Sequence, residues 1–281
     1  MILQYAFFQN ALLGALLASV LCAVVGTYVV TRRMVIVGGG MAHASLGGVG
    51  VAAFCGFSPL IGAAGFAALS GFAILWLSRN RQVRQDSAIA MIWTWGMALG
   101  ILFAYLTPGF MSDLPAYLFG DILSISRTDL VVLGGITIIA VGLYLILRSA
   151  IISVACDSDF ARTQGLPVSA LQSGMMLLTA LPLVACLHMV GIVMVISLLS
   201  VPQMTAAIFV RTYNAQLWLS ALFAFMGCVA GLFLSFYADV PGGASVILAS
   251  ICIYLLCRTI KYALASLYPK LRGIHRREDL C

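Results

Sequence analysis

The chain has 281 residues, of which 63% are hydrophobic and only 9% charged, and its formal net charge is +6. An ordinary soluble domain is about one quarter charged, so this composition excludes a water-soluble globular protein. It also argues against a nucleic-acid-binding protein, because that function needs a basic face on a soluble domain.

Long charge-free runs divide the chain and predict where it crosses a membrane. Each run reaches about 18 residues or more, the length that spans a bilayer. The runs cover 1–31, 34–78, 87–112, 130–147, 163–210, 212–238 and 240–257. Two of them are long enough for two crossings each; one divides around Phe57-Ser58-Pro59 and the other between Pro182 and Gly191. The sequence therefore predicts an all-α, polytopic transmembrane helix bundle with nine crossings.

The basic residues set the predicted orientation, because Lys and Arg accumulate on the cytoplasmic side of membrane proteins. With nine crossings and the N-terminus outside, Arg127 is the only one of the 15 basic residues on the outer side. The predicted transmembrane domain, 1–260, lies in the cytoplasmic (inner) membrane, and a short basic tail, 261–281, follows inside the cell. The alternative is an eight-crossing bundle in which the segment 107–127 dips into the membrane without crossing it.

His43 is the leading candidate for a functional residue. Counted from Arg33 at a rise of 1.5 Å per residue, it lies about 15 Å deep, near the middle of a ~30 Å hydrocarbon core. An ionisable side chain at that depth is a functional candidate by default. Neutral imidazole is a ligand for Mn, Fe and Zn. The structural alternative is a histidine that bonds to a neighbouring helix.

Glycines flank this histidine on both sides, at Gly38-Gly39-Gly40 and at Gly47-Gly48. Small residues allow transmembrane helices to pack closely. Consecutive glycines can also loosen a helix and expose its carbonyls to a substrate, as in the discontinuous helices of transporters. We expect close helix packing here, and the two roles are compatible.

Other polar and aromatic residues in the spans give weaker signals. His188, at the predicted outer end of the sixth span, is a second candidate metal contact, and a snorkelling histidine is its ordinary explanation. Gln203 must find a partner in lipid, and we expect an interhelical hydrogen bond, with a contact to the substrate as the alternative. An interfacial aromatic belt accounts for most of the tryptophans, which lie near span ends or one turn in: Trp76, Trp93, Trp95 and Trp218.

The chain carries no sign of an energy source of its own. It lacks a GxxxxGK[ST] phosphate loop, and its carboxylates all lie outside the charge-free runs, which disfavours coupling to an ion gradient. We therefore expect a transport subunit, not an enzyme. A remote alternative is an intramembrane hydrolase that uses Ser45, Ser197 or Ser200, but no nucleophile motif surrounds these serines, and hydroxyls in spans commonly bond their own helix.

Five segments occur in a characteristic order along the chain. They are RRMVIVGGGMAHASLGGVGVA, YLFGDILSISRTDL, CDSDFARTQGLPVS, VGIVMVISLLSVPQMTAA and GLFLSFYADVPGGASVIL. The first is similar to a second-helix signature in which a histidine is followed by small residues. Together, from Tyr28 to about Arg258, they resemble the ABC-3 family, the membrane subunits of ABC-type importers for zinc, manganese or iron.

The resemblance implies a homodimer, or a pair of like permease subunits, in the lipid bilayer. Two cytoplasmic ABC ATPase subunits and an extracytoplasmic metal-binding protein would be its partners. No cofactor would be bound permanently, and the transported divalent ion, zinc or manganese, would pass His43 in the translocation path. The segment expected to dock the ATPase contains Asp157, Ala161 and Gly165. The outer face expected to receive the binding protein carries Asp113, Asp121 and Asp239.

Gly39 is a departure from the family pattern. Many members carry an Asp four residues before the histidine, one helical turn away, so that carboxylate and imidazole point the same way. Without that carboxylate the site is softer and nitrogen-based, which suits Zn somewhat better than Mn. The alternative transport function is a permease for a metal chelate, siderophore or cobalamin. Such permeases look similar, but they usually run longer and enclose a wider path that needs no ligating histidine.

Overall fold

The computed structural model of the protein describes residues 5–79, 84–109, 120 and 125–267. Within these ranges the chain forms helices joined by short turns. The helices are α1 (Ala6–Thr31), α2 (Val35–Cys55), α3 (Pro59–Arg79), α4 (Gln85–Leu106), α5 (Arg127–Cys156), α6 (Ser158–Thr163), α7 (Val168–Val190), α8 (Ile192–Leu198), α9 (Val201–Phe209), α10 (Tyr213–Ala238) and α11 (Gly242–Leu267). This all-α architecture confirms the fold class predicted from the sequence.

Nine helical stretches in the described part of the chain are long and apolar enough to cross a membrane. They are α1 to α5, α7, the α8–α9 pair, α10 and α11. α2 is central, since 78% of its span is buried against 22% of the α4 span. The last helix continues past Lys261, the predicted start of the basic tail, and residues 268–281 lie outside the described ranges.

The predicted turns between paired spans are present. α2 ends at Gly56, whose φ of 75° places it in the left-handed region that favours glycine. α3 then begins at Pro59. The second turn lies at Gly191, also at positive φ, while Pro182 is accommodated inside α7.

The seventh span differs from the single helix that the sequence predicts, because it divides into α8 and α9. Pro202 has no N–H, so it cannot donate to the carbonyl of Leu198 four residues before it. The Gln203 side chain replaces that donor, since its Nε2 lies 3.1 Å from Leu198 O. The same Nε2 donates to Cys22 O on α1 at 3.0 Å. The expected interhelical role of Gln203 is thereby confirmed.

Replacing Gln203 with leucine is expected to destabilise the bundle by about 1–2 kcal/mol, because the Leu198 carbonyl would lose its donor in a fully buried position. Thermal unfolding of the purified protein in detergent measures the effect. Met204→Leu is the matched control, since Met204 is 45% exposed and lies next to Gln203. Equal unfolding temperatures for both variants would contradict the role of the Gln203 amide.

Close helix contacts fix the position of α2. A Cβ built on Gly48 would lie 2.0 Å from Gly62 O on α3, and one on Gly47 would lie 2.7 Å from Gly96 O on α4. Real Cβ atoms do not approach other atoms this closely, so only glycine permits these contacts. Backbones in lipid approach through such small residues. α2 is therefore held tightly between α3 and α4 in its C-terminal half.

Hydrogen bonds tie the helix ends together at both edges of the bundle. At one edge, Arg32 Nη1 donates to Val154 O at 3.4 Å, and Arg148 Nε donates to Asn214 Oδ1 at 3.0 Å. We call this edge, where α1, α5, α9 and α11 end and α10 begins, the basic end. At the opposite edge, Asn10 Nδ2 donates to Ile125 O at 3.3 Å. The N-terminal ends of α1 and α5 therefore lie together at one edge of the bundle, and their C-terminal ends lie together at the basic end.

Candidate functional site

The imidazole of His43 lies between α2 and α4, stacked on the indole of Trp93. Their ring centroids are 4.5 Å apart and the rings are inclined by only 6°. Trp93 Nε1 donates to Met97 Sδ at 2.9 Å, a contact that fixes the indole on its own helix. The flat contact orients the imidazole and leaves its ring-edge nitrogens free of the indole.

His43 Nδ1 is buried and has no hydrogen-bond partner among the described residues. A buried polar atom without a partner is costly, and native proteins keep few of them. Imidazole nitrogen is also the commonest protein ligand for transition metals. An unpaired nitrogen near mid-membrane is therefore suited to contact a metal ion in passage.

Space beside α2 lies on the side of Gly38 and Gly39. A Cβ built on Gly38 would meet no heavy atom within 4 Å, and this glycine lies near Tyr28 and Met176. A Cβ on Gly39 would have Ile196 Cδ1, at 4.0 Å, as its nearest contact. Gly40 differs, because its Cβ would lie 2.7 Å from Ile89 Cγ2. Of the glycines around His43, Gly40, Gly47 and Gly48 are thus tightly packed, whereas Gly38 and Gly39 are not.

Other metal-ligating residues do not gather around His43 in the described part of the chain, where no group of three or more His, Cys, Asp or Glu side chains could hold a metal. His188 belongs to the last turn of α7, and its side chain lies outside the described set. The Ser45 hydroxyl donates to Ala42 O of its own helix at 2.6 Å, and the Ser200 hydroxyl, in the turn between α8 and α9, donates to Ile196 O of α8 at 2.9 Å. Within the described ranges, His43 is therefore not part of a cluster of three or more such ligands.

The segment with Asp157, Ala161 and Gly165 forms the short helix α6 at the basic end. Asp157 caps the helix, since its Oδ1 accepts hydrogen bonds from the backbone N–H groups of Asp159 and Phe160 at 2.9 Å and 3.0 Å. Ala161 is fully buried in a small apolar cluster with Val154 and Val168. Gly165 has a φ of 77°, which allows the chain to turn toward α7. Each of the three residues thus shapes this helix.

The exposed side of α6 carries Phe160, which is 57% exposed, beside Asp159 and Arg162. The Arg162 Nη1 and Asp159 Oδ1 atoms are 3.8 Å apart at the surface. A short capped helix with an exposed phenyl ring is suited to enter a groove on another protein. The arrangement offers a contact point outside the membrane-spanning helices.

The predicted outer-face carboxylates are only partly described. Asp239 is exposed at the turn between α10 and α11, where its φ of 52° is left-handed. Asp113 and Asp121 lie outside the described residues. Asp239 is at the opposite edge of the bundle from α6, as the alternation of the spans requires.

Trp93 contacts His43, although its place in the sequence is typical of the interfacial belt. Trp76 and Trp218, which are 75% and 62% exposed, fit the predicted interfacial belt. Trp95 is also exposed but lies about 15 Å along α4, too deep for the belt, and Trp93 contacts His43 instead. Counted from Gln85 at 1.5 Å per residue, Trp93 lies about 12 Å along α4, close to the depth of His43. Matching the depths of the two residues would have indicated that they could meet.

Comparison with known proteins gives a consistent set of similarities. The family model described as the ABC 3 transport family matches residues 4–261. The manganese transport system membrane protein MntC of Halalkalibacterium halodurans is 34% identical, over 91% of this chain and 87% of that protein. The high-affinity zinc uptake system membrane protein ZnuB of Haemophilus influenzae is 29% identical, over 88% and 94%. The solved structure of PsaBC from Streptococcus pneumoniae in complex with Fab superimposes with a TM-score of 0.83 at 27% identity, over 91% and 92%.

Proposed function

Because the chain belongs to the ABC 3 transport family, we propose that it is the permease subunit of an importer for divalent metal ions. The proposed cargo is zinc or manganese, with iron as a third candidate, and it crosses the cytoplasmic membrane. The observation that supports a metal cargo is that His43 Nδ1 is buried and has no hydrogen-bond partner among the described residues. Relatives named for manganese and for zinc transport support a metal substrate and do not choose between the two.

The proposed mechanism is alternating access powered by separate ABC ATPase subunits. The ATPase would bind α6, since the capped helix carries the exposed Phe160 at the basic end. Movement of α6 would pass to α5 and α7 through the buried contacts of Ala161. An extracytoplasmic metal-binding protein would deliver the ion at the opposite edge, near Asp113, Asp121 and Asp239. The N-terminus would then lie outside and the C-terminus inside.

The glycines of α2 would serve two purposes in this mechanism. Gly40, Gly47 and Gly48 keep α2 close to α3 and α4. Gly38 and Gly39 have no closely packed neighbour at the position of a Cβ, which would allow a helix to move beside the His43 turn. One chain supplies few ligands for the ion, so a second copy in a homodimer would complete the path. A weak site suits a permease, because conduction requires that the ion can leave.

The proposed function is tested by uptake into proteoliposomes that contain the complete complex of permease, ATPase and metal-binding protein. The expected result is ATP-dependent accumulation of labelled Zn or Mn that unlabelled free ions compete for. Competition by a metal chelate or cobalamin, with none by free ions, would assign the chain to the other class of importer. Uptake of neither would reject the proposal.

Restoring a carboxylate at position 39 is expected to change metal preference. Gly39→Asp places a hard oxygen ligand one helical turn before His43, and the position has room for it. The uptake ratio of Mn to Zn should rise, by roughly tenfold. Gly38→Asp is the matched control, since position 38 is also open but lies on a different side of the helix. An equal change of the ratio in both variants would show that added charge, not a new ligand, is responsible.

A further inference from the structure

An open groove of about 490 Å³ lies at the basic end, between α1, α9 and α11. One wall is apolar and includes Val30 and Met204. The other wall belongs to α11 and carries the two cations Arg258 and Lys261, with Tyr254 and Tyr262 beside them. The groove therefore has an apolar side and a cationic side, a combination that neither the translocation path nor the α6 contact explains.

The cationic wall lies at the level where a membrane meets water. At 1.5 Å per residue, Arg258 is about 24 Å and Lys261 about 28 Å from the start of α11 at Gly242, in a hydrocarbon core of ~30 Å. The apolar wall ends at the same level, because α1 and α9 end at Thr31 and Phe209. The charged part of the groove is thus at headgroup depth and the apolar part faces the acyl chains.

The two cations are held in place by neutral groups. Arg258 Nη1 and Nη2 donate to the hydroxyls of Tyr254 and Tyr262, at 3.1 Å and 3.4 Å, and the guanidinium carbon lies 5.5 Å from the Tyr262 ring centroid. Lys261 Nζ donates to the carbonyl of Ile208, in the last turn of α9. None of the described residues that line the groove is acidic. The positive charge is therefore positioned but not neutralised.

We propose that this groove is a binding site for an anionic phospholipid. The phosphate contacts Arg258 and Lys261, the tyrosine hydroxyls hydrogen-bond the headgroup, and an acyl chain lies along Val30 and Met204. Basic pockets between transmembrane helices at the cytoplasmic side are suited to anionic headgroups. A metal cation would be repelled by the same wall, which separates this site from the path of the proposed cargo. The inference does not depend on which substrate the protein transports.

Native mass spectrometry of the purified complete complex tests the site, after incubation with phosphatidylglycerol or phosphatidylcholine. The wild type is expected to retain phosphatidylglycerol in preference to phosphatidylcholine. The double variant Arg258→Gln/Lys261→Gln should lose that preference, with a fall in phosphatidylglycerol affinity of roughly tenfold or more. The charge-conserving double variant Arg258→Lys/Lys261→Arg should keep it. Arg84→Gln removes an exposed charge next to α4, outside the groove, and should have no effect.

Equal retention of the two lipids by the wild type would overturn the proposal. So would a double Gln variant that keeps its phosphatidylglycerol but loses the ATPase subunit in the same spectra, because the groove would then be a protein-docking surface. Displacement of phosphatidylglycerol by millimolar inorganic phosphate would point to a simple anion site and would also count against a lipid site.

Discussion

Replacing His43 with alanine is expected to lower ATP-dependent uptake of the metal ion by about tenfold or more, through loss of the proposed path ligand. The reason is specific to the nitrogen, since Nδ1 is buried and unpaired among the described residues. The measurement is the initial rate of labelled Zn and Mn uptake by proteoliposomes that contain the complete complex. The ATPase should still assemble, because His43 lies near mid-membrane whereas α6 lies at the basic end.

The stacking contact with Trp93 makes a sharper comparison possible. In the wild type, the ring centroids of His43 and Trp93 are 4.5 Å apart. His43→Phe keeps an aromatic ring against the indole but provides no nitrogen. If His43 is a ligand, the alanine and phenylalanine variants should lose uptake equally. If it only packs against Trp93, phenylalanine should restore uptake, and the proposed role would be wrong. Trp93→Phe is the reciprocal control, since it preserves a ring beside an intact histidine and should retain most of the uptake.

Gly48→Ala is expected to have a large effect on stability, because the added Cβ would lie 2.0 Å from Gly62 O and 2.5 Å from its carbonyl carbon. These are backbone atoms and cannot rotate away, so α2 and α3 must separate. Overpacking costs about 1–3 kcal/mol, and a backbone contact belongs at the upper end of that range. The measurement is the midpoint of thermal unfolding, together with the yield of monodisperse protein in detergent.

Two glycines in the same helices serve as matched controls. Gly38 on α2 and Gly65 on α3 would each gain a Cβ with no heavy atom within 4 Å. Alanine is a better helix former than glycine by roughly 0.5–1 kcal/mol, so these variants should be as stable as the wild type or slightly more stable. Unfolding of Gly48→Ala at the wild-type temperature would show that the two helices separate at little cost.

The sequence by itself determined that the chain is a multi-pass helical membrane protein. Charged side chains are so costly in lipid that each crossing appears in the sequence as a charge-free run. This is independent of which helices pack against one another. The depth of His43 followed from the same counting, because helical rise is constant. The motifs of the cytoplasmic segment and of α2 indicated the family, which the match over residues 4–261 shows.

Only the tertiary structure decided which residues meet. Gly38 and Gly48 are both glycines of α2. A Cβ on Gly38 would meet no heavy atom within 4 Å, whereas a Cβ on Gly48 would collide with the carbonyl of Gly62, because α3 packs against α2 only at Gly48 of these two positions. The contact of Trp93 with His43 and the hydrogen bond from Gln203 to Cys22 O likewise join residues that are distant in the chain. Composition in lipid is uniformly apolar, so the hydrophobic pattern locates a span without specifying its neighbours; close packing and a few interhelical hydrogen bonds do that.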